Sequence, residues 1–303
     1  MPSSSTPERG GADRRARRGR APVLALGSGS VVVVTGGGSG IGRLVALGAA
    51  RKGAHVVLWD RDEAAALRVA VEAEAVGGRG TAIGVDLADA DAIAEAARRT
   101  LELGGVDVLV NNAGVVSGRP LAELEVAQIE RTMRVNAIAP ILVTRALLPA
   151  MESRGAGRVV TVASAAGFIG VAGQTDYAAS KFAAVGFMES LRAELRRSGS
   201  PVTALTVAPY YIDTGMFDGV TTKVPALLPI LSAAAVATRI LAAIESRRAL
   251  LALPPLVRAV PALRALPVAV VDRLADALGL QEGMAGFRGR ASAAPAPLDG
   301  AVR

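Results

Sequence analysis

Tyr177 and Lys181 stand four residues apart in a segment of helical character, so both side chains fall on one face. An ammonium beside a phenol stabilises the phenolate and lowers its pKa from about 10, which suits tyrosine to general acid–base work near neutral pH. The chain has only three lysines (Lys52, Lys181 and Lys223) among its 34 Lys and Arg residues. A lysine kept at 181 points to a task that a guanidinium does not perform. Ser164 follows the run Arg158 to Ala163, a strand whose carboxyl end is where α/β folds hold ligands. Taken alone, Ser164 reads equally as a turn or cap residue. Asn136 lies inside a helical pattern, where asparagine is mildly unfavourable and either has a polar task or faces water.

A second group of residues suits phosphate. Val31 to Val34 is a β-branched run, followed by Gly36, Gly37, Gly38, Ser39, Gly40, Ile41 and Gly42 and then by a helix. Glycines let the backbone approach an anion closely, and the helix N-terminus offers free N–H groups to a dinucleotide pyrophosphate. Asp60 ends the second strand, where a carboxylate accepts hydrogen bonds from an adenosine ribose and repels a 2′-phosphate. That favours NAD over NADP, although Arg61 beside it is able to hold a phosphate. Asn111, Asn112, Ala113 and Gly114 follow the fourth strand and can tie strand ends together or line the cleft.

The elements that must position these residues follow an alternating pattern. Strands are predicted at Val31–Val34, His55–Trp59, Thr81–Val85, Val106–Val110, Arg158–Ala163, Val202–Val207 and Ala249–Leu253. Helices are predicted at Ile41–Lys52, Asp62–Val76, Asp89–Leu103, Glu123–Ser153 with an interruption near Pro140, Thr175–Arg197 and Ala233–Ser246. Continuous apolar strands alternating with helices predict an α/β fold: one Rossmann-type, doubly wound parallel sheet of about seven strands with helices on both faces.

Composition narrows the chemistry. The chain has 303 residues, 51% of them hydrophobic and 20% charged, enough for a large core. It has no cysteine and one histidine, His55, so no thiolate nucleophile or cysteine or multi-histidine metal site is expected, and no metal. Aromatics are 3%, poor material for stacking on bases. The net charge is +7 and the pI about 10.6. More than half of that charge lies in residues 1–20, where six arginines face only Glu8 and Asp13. The chain divides into a disordered basic arm (1–27), a dinucleotide-binding domain (28–253), an apolar, amphipathic segment (254–287) and a disordered tail (288–303). The arm has no apolar stretch of the kind a secretory signal needs, and no uninterrupted apolar run reaches the roughly 18 residues of a membrane span. A cytoplasmic protein is expected, with peripheral contact to a membrane open to it. In residues 254–280, Val260, Leu263, Val271, Leu274 and Leu278 recur near helical spacing among Arg258, Arg264 and Arg273. This segment suits a membrane interface, a cover for a cleft or an oligomer contact.

Taken together, Thr35-Gly36, Gly40, Gly42, Asn111-Asn112-Ala113-Gly114, Asn136, Ser164 and Tyr177-x-x-x-Lys181 resemble the short-chain dehydrogenase/reductase family, in order and spacing, over about residues 30–253. Segments 162–167, 180–187 and Leu58-Trp59-Asp60 resemble its retinol and hydroxysteroid dehydrogenase branch. The resemblance implies that Tyr177 gives and takes the proton, Lys181 holds the nicotinamide ribose and tunes Tyr177, Ser164 polarises the substrate oxygen and Asn136 supports a relay water. It implies a cofactor set of Gly36, Ser39, Gly40, Ile41, Gly42, Asp60, Arg61, Asp86 at the adenine, Leu87, Asn112, Ala113, Gly114, Tyr177, Lys181, Pro209, Ile212 and Thr214 at the carboxamide. Tyr210 departs from the glycine usual in the family and puts a large side chain near the nicotinamide or substrate. Substrate contacts are expected from Ser164, Phe168, Gln174, Tyr210, Met216 and Phe217, the last two in an apolar loop suited to a lipophilic alcohol or ketone. The implied function is hydride transfer between NAD and such a substrate, in a homo-oligomer that does not bind nucleic acid. The alternatives are an NADPH-linked ketoacyl-type reductase, a non-catalytic dinucleotide-binding regulator and a nucleic-acid binder acting through the arginine arm.

Overall fold

The computed structural model describes residues 24–289. The expected basic arm lies outside the described residues up to position 23, and the expected tail lies outside them from position 290. Seven parallel strands form one sheet: β1 (Val31–Thr35), β2 (His55–Asp60), β3 (Arg79–Gly84), β4 (Val108–Asn111), β5 (Gly157–Val162), β6 (Val202–Pro209) and β7 (Leu250–Leu253). Their order is β3-β2-β1-β4-β5-β6-β7. The order reverses between β1 and β4, so the crossovers that leave these strands turn to opposite faces and open a crevice at their carboxyl ends.

Every residue of β1 and all but the last of β2 is buried, which is why these strands read as unbroken apolar runs rather than alternating ones. Helices α1 (Gly40–Ala50), α2 (Glu63–Ala75) and α7 (Ala233–Ile244) cover one face, packing Val45, Val69 and Ile240 onto Val34, Leu58 and Leu205. Helices α3 (Ala90–Leu101), α5 (Ala139–Ser153) and α6 (Thr175–Ser198) cover the other, packing Ile93, Val143 and Met188 onto Val33, Val57 and Val159. The predicted element types and order hold, with strand ends shifted by one or two residues.

The long helical pattern across 123–153 resolves into α4 (Val126–Met133), a wide π turn (Arg134–Ile138) and α5. The interruption therefore precedes Pro140, whose missing N–H falls at the junction where the π turn gives way to α5. By length and composition this 28-residue helix is able to cross a membrane, yet half of its most apolar window is buried against the rest of the fold. The chain ends its described part with α8 (Val260–Leu263) and α9 (Val268–Ala277), which lie over the crevice side rather than extending the sheet.

Candidate active site

The glycine loop is held from three sides. Gly36 has φ +65°, and a Cβ there would come within 3.0 Å of the Ala113 Cα. The Asn112 side chain donates to the carbonyls of Thr35 and Gly36 (3.0 and 3.3 Å), and Thr35 Oγ1 accepts from the backbone N–H groups of Asn112 and Ala113 (3.0 and 3.1 Å). Asp60 Oδ2 accepts from Gly38 N at 2.9 Å and Oδ1 from Asp62 N at 3.1 Å. Asp60 thus braces the loop besides facing the cleft. Gly42 differs from the expected cofactor contact. It lies behind the loop, where a Cβ would meet the Gly36 carbonyl oxygen at 2.1 Å, so its role is to let α1 pack against the turn.

A cleft of about 280 Å³ runs along the carboxyl ends of the strands. Apart from Gly42, every residue expected to bind cofactor lines it: Gly36, Ser39, Gly40 and Ile41 in the loop, Asp60, Arg61, Asp86 and Leu87 at one end, and Asn112, Ala113 and Gly114 in the middle. Tyr177, Lys181, Pro209, Ile212 and Thr214 line the other end. The bare backbone at Gly36 and Gly114 together with an acid at one end fits a dinucleotide. Sequence reasoning missed Val85, Arg131, Val135 and Val162 in the same wall. Arg131 reaches the Asp86 carboxylate at 3.5 Å, and nothing in its spacing signals this.

The chemistry-bearing side chains converge at the Tyr177 end. Lys181 is buried, donates to the Val162 carbonyl at 3.0 Å and lies 5.5 Å from the centroid of the Tyr177 ring. Burial pushes the Tyr177 phenol up to about 12, against a smaller opposing pull from the Ser164 hydroxyl. Burial also brings the Lys181 amine down to about 8. The expected lowering of the phenol by the ammonium is not seen: burial is the larger effect on Tyr177, and the Lys181 ammonium gives its hydrogen bond to a backbone carbonyl. Ser164 Oγ accepts from Ala166 N at 3.1 Å and holds its hydroxyl at the start of a one-turn helix.

Asn136 has its polar task. The π turn directs it at the β4–α4 loop, where Oδ1 accepts from Val115 N and Nδ2 donates to Val115 O, both at 2.8 Å, and to Ser180 Oγ at 3.0 Å. A π turn inserts an extra residue and is common where a helix must aim a functional side chain. Asp176, unnoticed in the sequence, forms a parallel clamp: its Oδ2 accepts from Ser117 Oγ and Thr132 Oγ1, both at 2.8 Å.

A second cavity of about 170 Å³ adjoins Ser164. Of the expected substrate residues, Ser164, Gln174, Tyr210 and Phe217 line it. Met216 lines the first cleft instead. Phe168 lines neither: it is 8% exposed and packs inward with Val185, Ala208 and Val257, because the short helix before it turns its side chain into the core. Tyr211, not foreseen, is a wall residue whose hydroxyl accepts from Gln174 Nε2 at 3.0 Å. Tyr210 takes the place expected of glycine without blocking the site, its ring 4.6 Å from that of Tyr211. The far wall is aliphatic and comes from the C-terminal segment, with Leu256, Val260, Leu263, Val271 and Leu274 among it. The same segment ties down the 214–230 loop, through Gly283 O accepting from Thr221 N and Arg288 N donating to Asp218 O.

Residues 30–225 match the family model described as short chain dehydrogenase. Epidermal retinol dehydrogenase 2 of Mus musculus is 39% identical over 267 residues, covering 87% of this chain and 86% of that protein. Retinol dehydrogenase 10-B of Danio rerio is 40% identical over 213 residues, covering 63% of each. A short chain dehydrogenase/reductase of Burkholderia phymatum solved with NAD superposes with a TM-score of 0.73 at 28% identity, over 82% of this chain and 97% of that one. A metagenomic short-chain oxidoreductase solved with NADP gives 0.66 at 34% identity, over 76% and 98%. The chain belongs to the short-chain dehydrogenase family, on its retinol dehydrogenase branch, and is an NAD(P)-dependent oxidoreductase.

Proposed function

We propose that this enzyme oxidises lipophilic primary or secondary alcohols, of retinoid, steroid or fatty-alcohol type, or reduces the matching carbonyls, with NAD as the preferred cofactor. The observation that carries this reading is the meeting of two spaces at these side chains, Tyr177 and Lys181 lining the cofactor cleft and Ser164 the aliphatic cavity that adjoins it. A bound nicotinamide supplies the hydride acceptor or donor. Ser164 orients the substrate oxygen beside Tyr177, and the Tyr177 oxygen takes the alcohol proton during oxidation or returns it during reduction. Lys181 presents its ammonium beside Tyr177 on the wall of the cleft, and Asn136 fixes the loop whose backbone lines the middle of the cleft. The apolar wall excludes water and holds the carbon skeleton.

Asp60 supports NAD, since its carboxylate lines the end of the cleft opposite Tyr177. Arg61 lines the same end and supports a second reading, an NADPH-linked reductase of ketoacyl type. A regulator that binds dinucleotide without turnover would have no use for Asn136, Ser164, Tyr177 and Lys181 assembled together. We place the enzyme in the cytoplasm, peripheral to a membrane, and as a homo-oligomer by family resemblance. The test is a screen of NAD⁺ and NADP⁺ with retinoid, steroid and aliphatic alcohols, following reduced-cofactor absorbance. Turnover of a lipophilic alcohol, lost in Tyr177→Phe, is the expected result. Cofactor binding without turnover of any alcohol or carbonyl in the panel would overturn the reading.

A further inference from the structure

Phe217 reaches the reacting end of the substrate cavity from a stretch of chain that cannot hold it there alone. Its ring meets the Tyr177 ring edge-on, with centroids 5.7 Å apart and planes at 81°. Yet no helix or strand lies between β6 and α7; the stretch consists of turns and one isolated bridge from Ile212 to Leu231. A side chain on such a loop keeps its place only if something packs behind it.

What packs behind it comes from the far end of the described chain. Tyr211, Val220 and Met284 form a small buried cluster separate from the cores on the sheet, with Val171, Phe217 and Phe287 packed against it. The stretch 281–289 crosses this cluster and is tied down along its length. Gln281 Oε1 accepts from Ala172 N at 2.8 Å, and Met284 Sδ accepts from Gln174 Nε2 at 2.9 Å. Gly283 O accepts from Thr221 N at 3.2 Å, and Arg288 N donates to Asp218 O at 2.8 Å. The Arg288–Asp218 ion pair at 3.1 Å is exposed and adds little.

Phe287 sits between two loops of the site. On one side its ring centroid is 6.4 Å from that of Phe217, at 60°. On the other it is seated on Gly118, where φ is +65° and a Cβ would overlap the Phe287 ring. Gly118 follows Ser117, whose hydroxyl donates to Asp176 at 2.8 Å, so that side is firm. Phe217 lines the substrate cavity, whereas Phe287 lines neither that cavity nor the cofactor cleft.

We infer that Phe287 is a positioning residue for the reaction: wedged against Gly118, it holds Phe217 edge-on to Tyr177 and so fixes the wall that orients the substrate. What is positioned rests on the lipophilic-alcohol reading; the packing itself does not. The test is a cycle of four full-length proteins, the parent, Phe287→Ala, Phe217→Ala and the double variant, assayed with NAD⁺ and a lipophilic alcohol that the parent turns over. Each single variant raises the KM for the alcohol roughly three- to tenfold, the size of one aromatic pair's coupling, and leaves the Kd for NAD⁺ unchanged. The double variant is no worse than Phe217→Ala, because Phe287 acts only through Phe217. A residue that merely stabilised the fold would lower the active fraction, and with it the apparent kcat, without moving KM. An unchanged KM in Phe287→Ala, or effects of the two substitutions that multiply, would overturn the inference. Hydrogen exchange read by mass spectrometry on the same proteins needs no substrate. Phe287→Ala speeds exchange across 214–222 and leaves 31–60 as in the parent. Unaltered exchange across 214–222 overturns the inference whether or not any alcohol is turned over. A parent that turns over no alcohol, with exchange at 214–222 faster in Phe287→Ala, removes the substrate reading and upholds the packing of Phe217 by Phe287.

Discussion

Lys181 approaches Tyr177 with its ammonium 5.5 Å from the ring centroid while donating its hydrogen bond to the Val162 carbonyl. Both groups are buried, and burial drives both toward their neutral forms. Near neutral pH only the lysine is held at a cost to the fold, since the phenol is neutral there in the folded and the unfolded chain alike.

That cost has a sign and a pH window. Lys181 falls from 10.5 to about 8 in the folded protein, so between those values the unfolded chain binds a proton that the folded chain does not. Stability from this group rises with pH across the window, and the full penalty is present below pH 8. Lys181→Met removes the penalty, on the order of 1–3 kcal/mol. The variant's stability relative to the parent is expected to be highest near pH 7 and to shrink toward pH 10. Urea unfolding of both proteins at the two pH values checks this, and a relative stability independent of pH would contradict the burial of a charged amine.

Tyr177→Phe keeps the ring and its edge contact with Phe217, at 5.7 Å, while removing the proton. Turnover is expected to fall by roughly 10²–10⁴-fold, with cofactor affinity changed little. Steady-state rates beside a fluorescence titration of cofactor separate the two effects.

Much of this was legible beforehand, for identifiable reasons. Strands buried on both faces print as runs such as Val31–Val34, and a loop that turns through φ +65° at Gly36 needs glycine there, where a Cβ would lie 3.0 Å from the Ala113 Cα. Tyr177 and Lys181 were found because a four-residue spacing determines a shared helix face. Phe168 was misplaced because the direction of a side chain leaving a short turn depends on the turn's exit angle. Asp176 was overlooked because an acid in the first turn of a helix looks like a solvated partner of the helix dipole, whereas here it is 4% exposed. The π turn is legible only as an interruption near Pro140, since one extra residue at Arg134–Ile138 disturbs an apolar pattern too little to fix its place or type.

Asp60 is expected to set cofactor choice and loop order together. Asp60→Ser removes the acceptor of Gly38 N and the repulsion of a 2′-phosphate. The ratio of kcat/KM for NAD to that for NADP is expected to fall about tenfold or more, the value of one charge-assisted hydrogen bond. Arg61→Ser should move the ratio the other way, by lowering the NADP arm. Paired initial-rate measurements with both cofactors decide it.

Asp176 gives the last prediction. Its Oδ2 gathers Ser117 and Thr132, and its Oδ1 is buried without a partner. It therefore ties the start of α6, one residue before Tyr177, to the loop that Asn136 holds at Val115. Asp176→Ala leaves two hydroxyls without their acceptor and is expected to cost about 1–3 kcal/mol of stability. Thr132→Val removes one donor only and should cost less. If the clamp also orients Tyr177, Asp176→Asn should lower kcat several-fold at conditions where both proteins are fully folded, leaving the KM for cofactor unchanged. Thermal unfolding followed by kinetics well below the transition checks both parts, and an unaltered kcat in a destabilised Asp176→Asn would confine Asp176 to the fold.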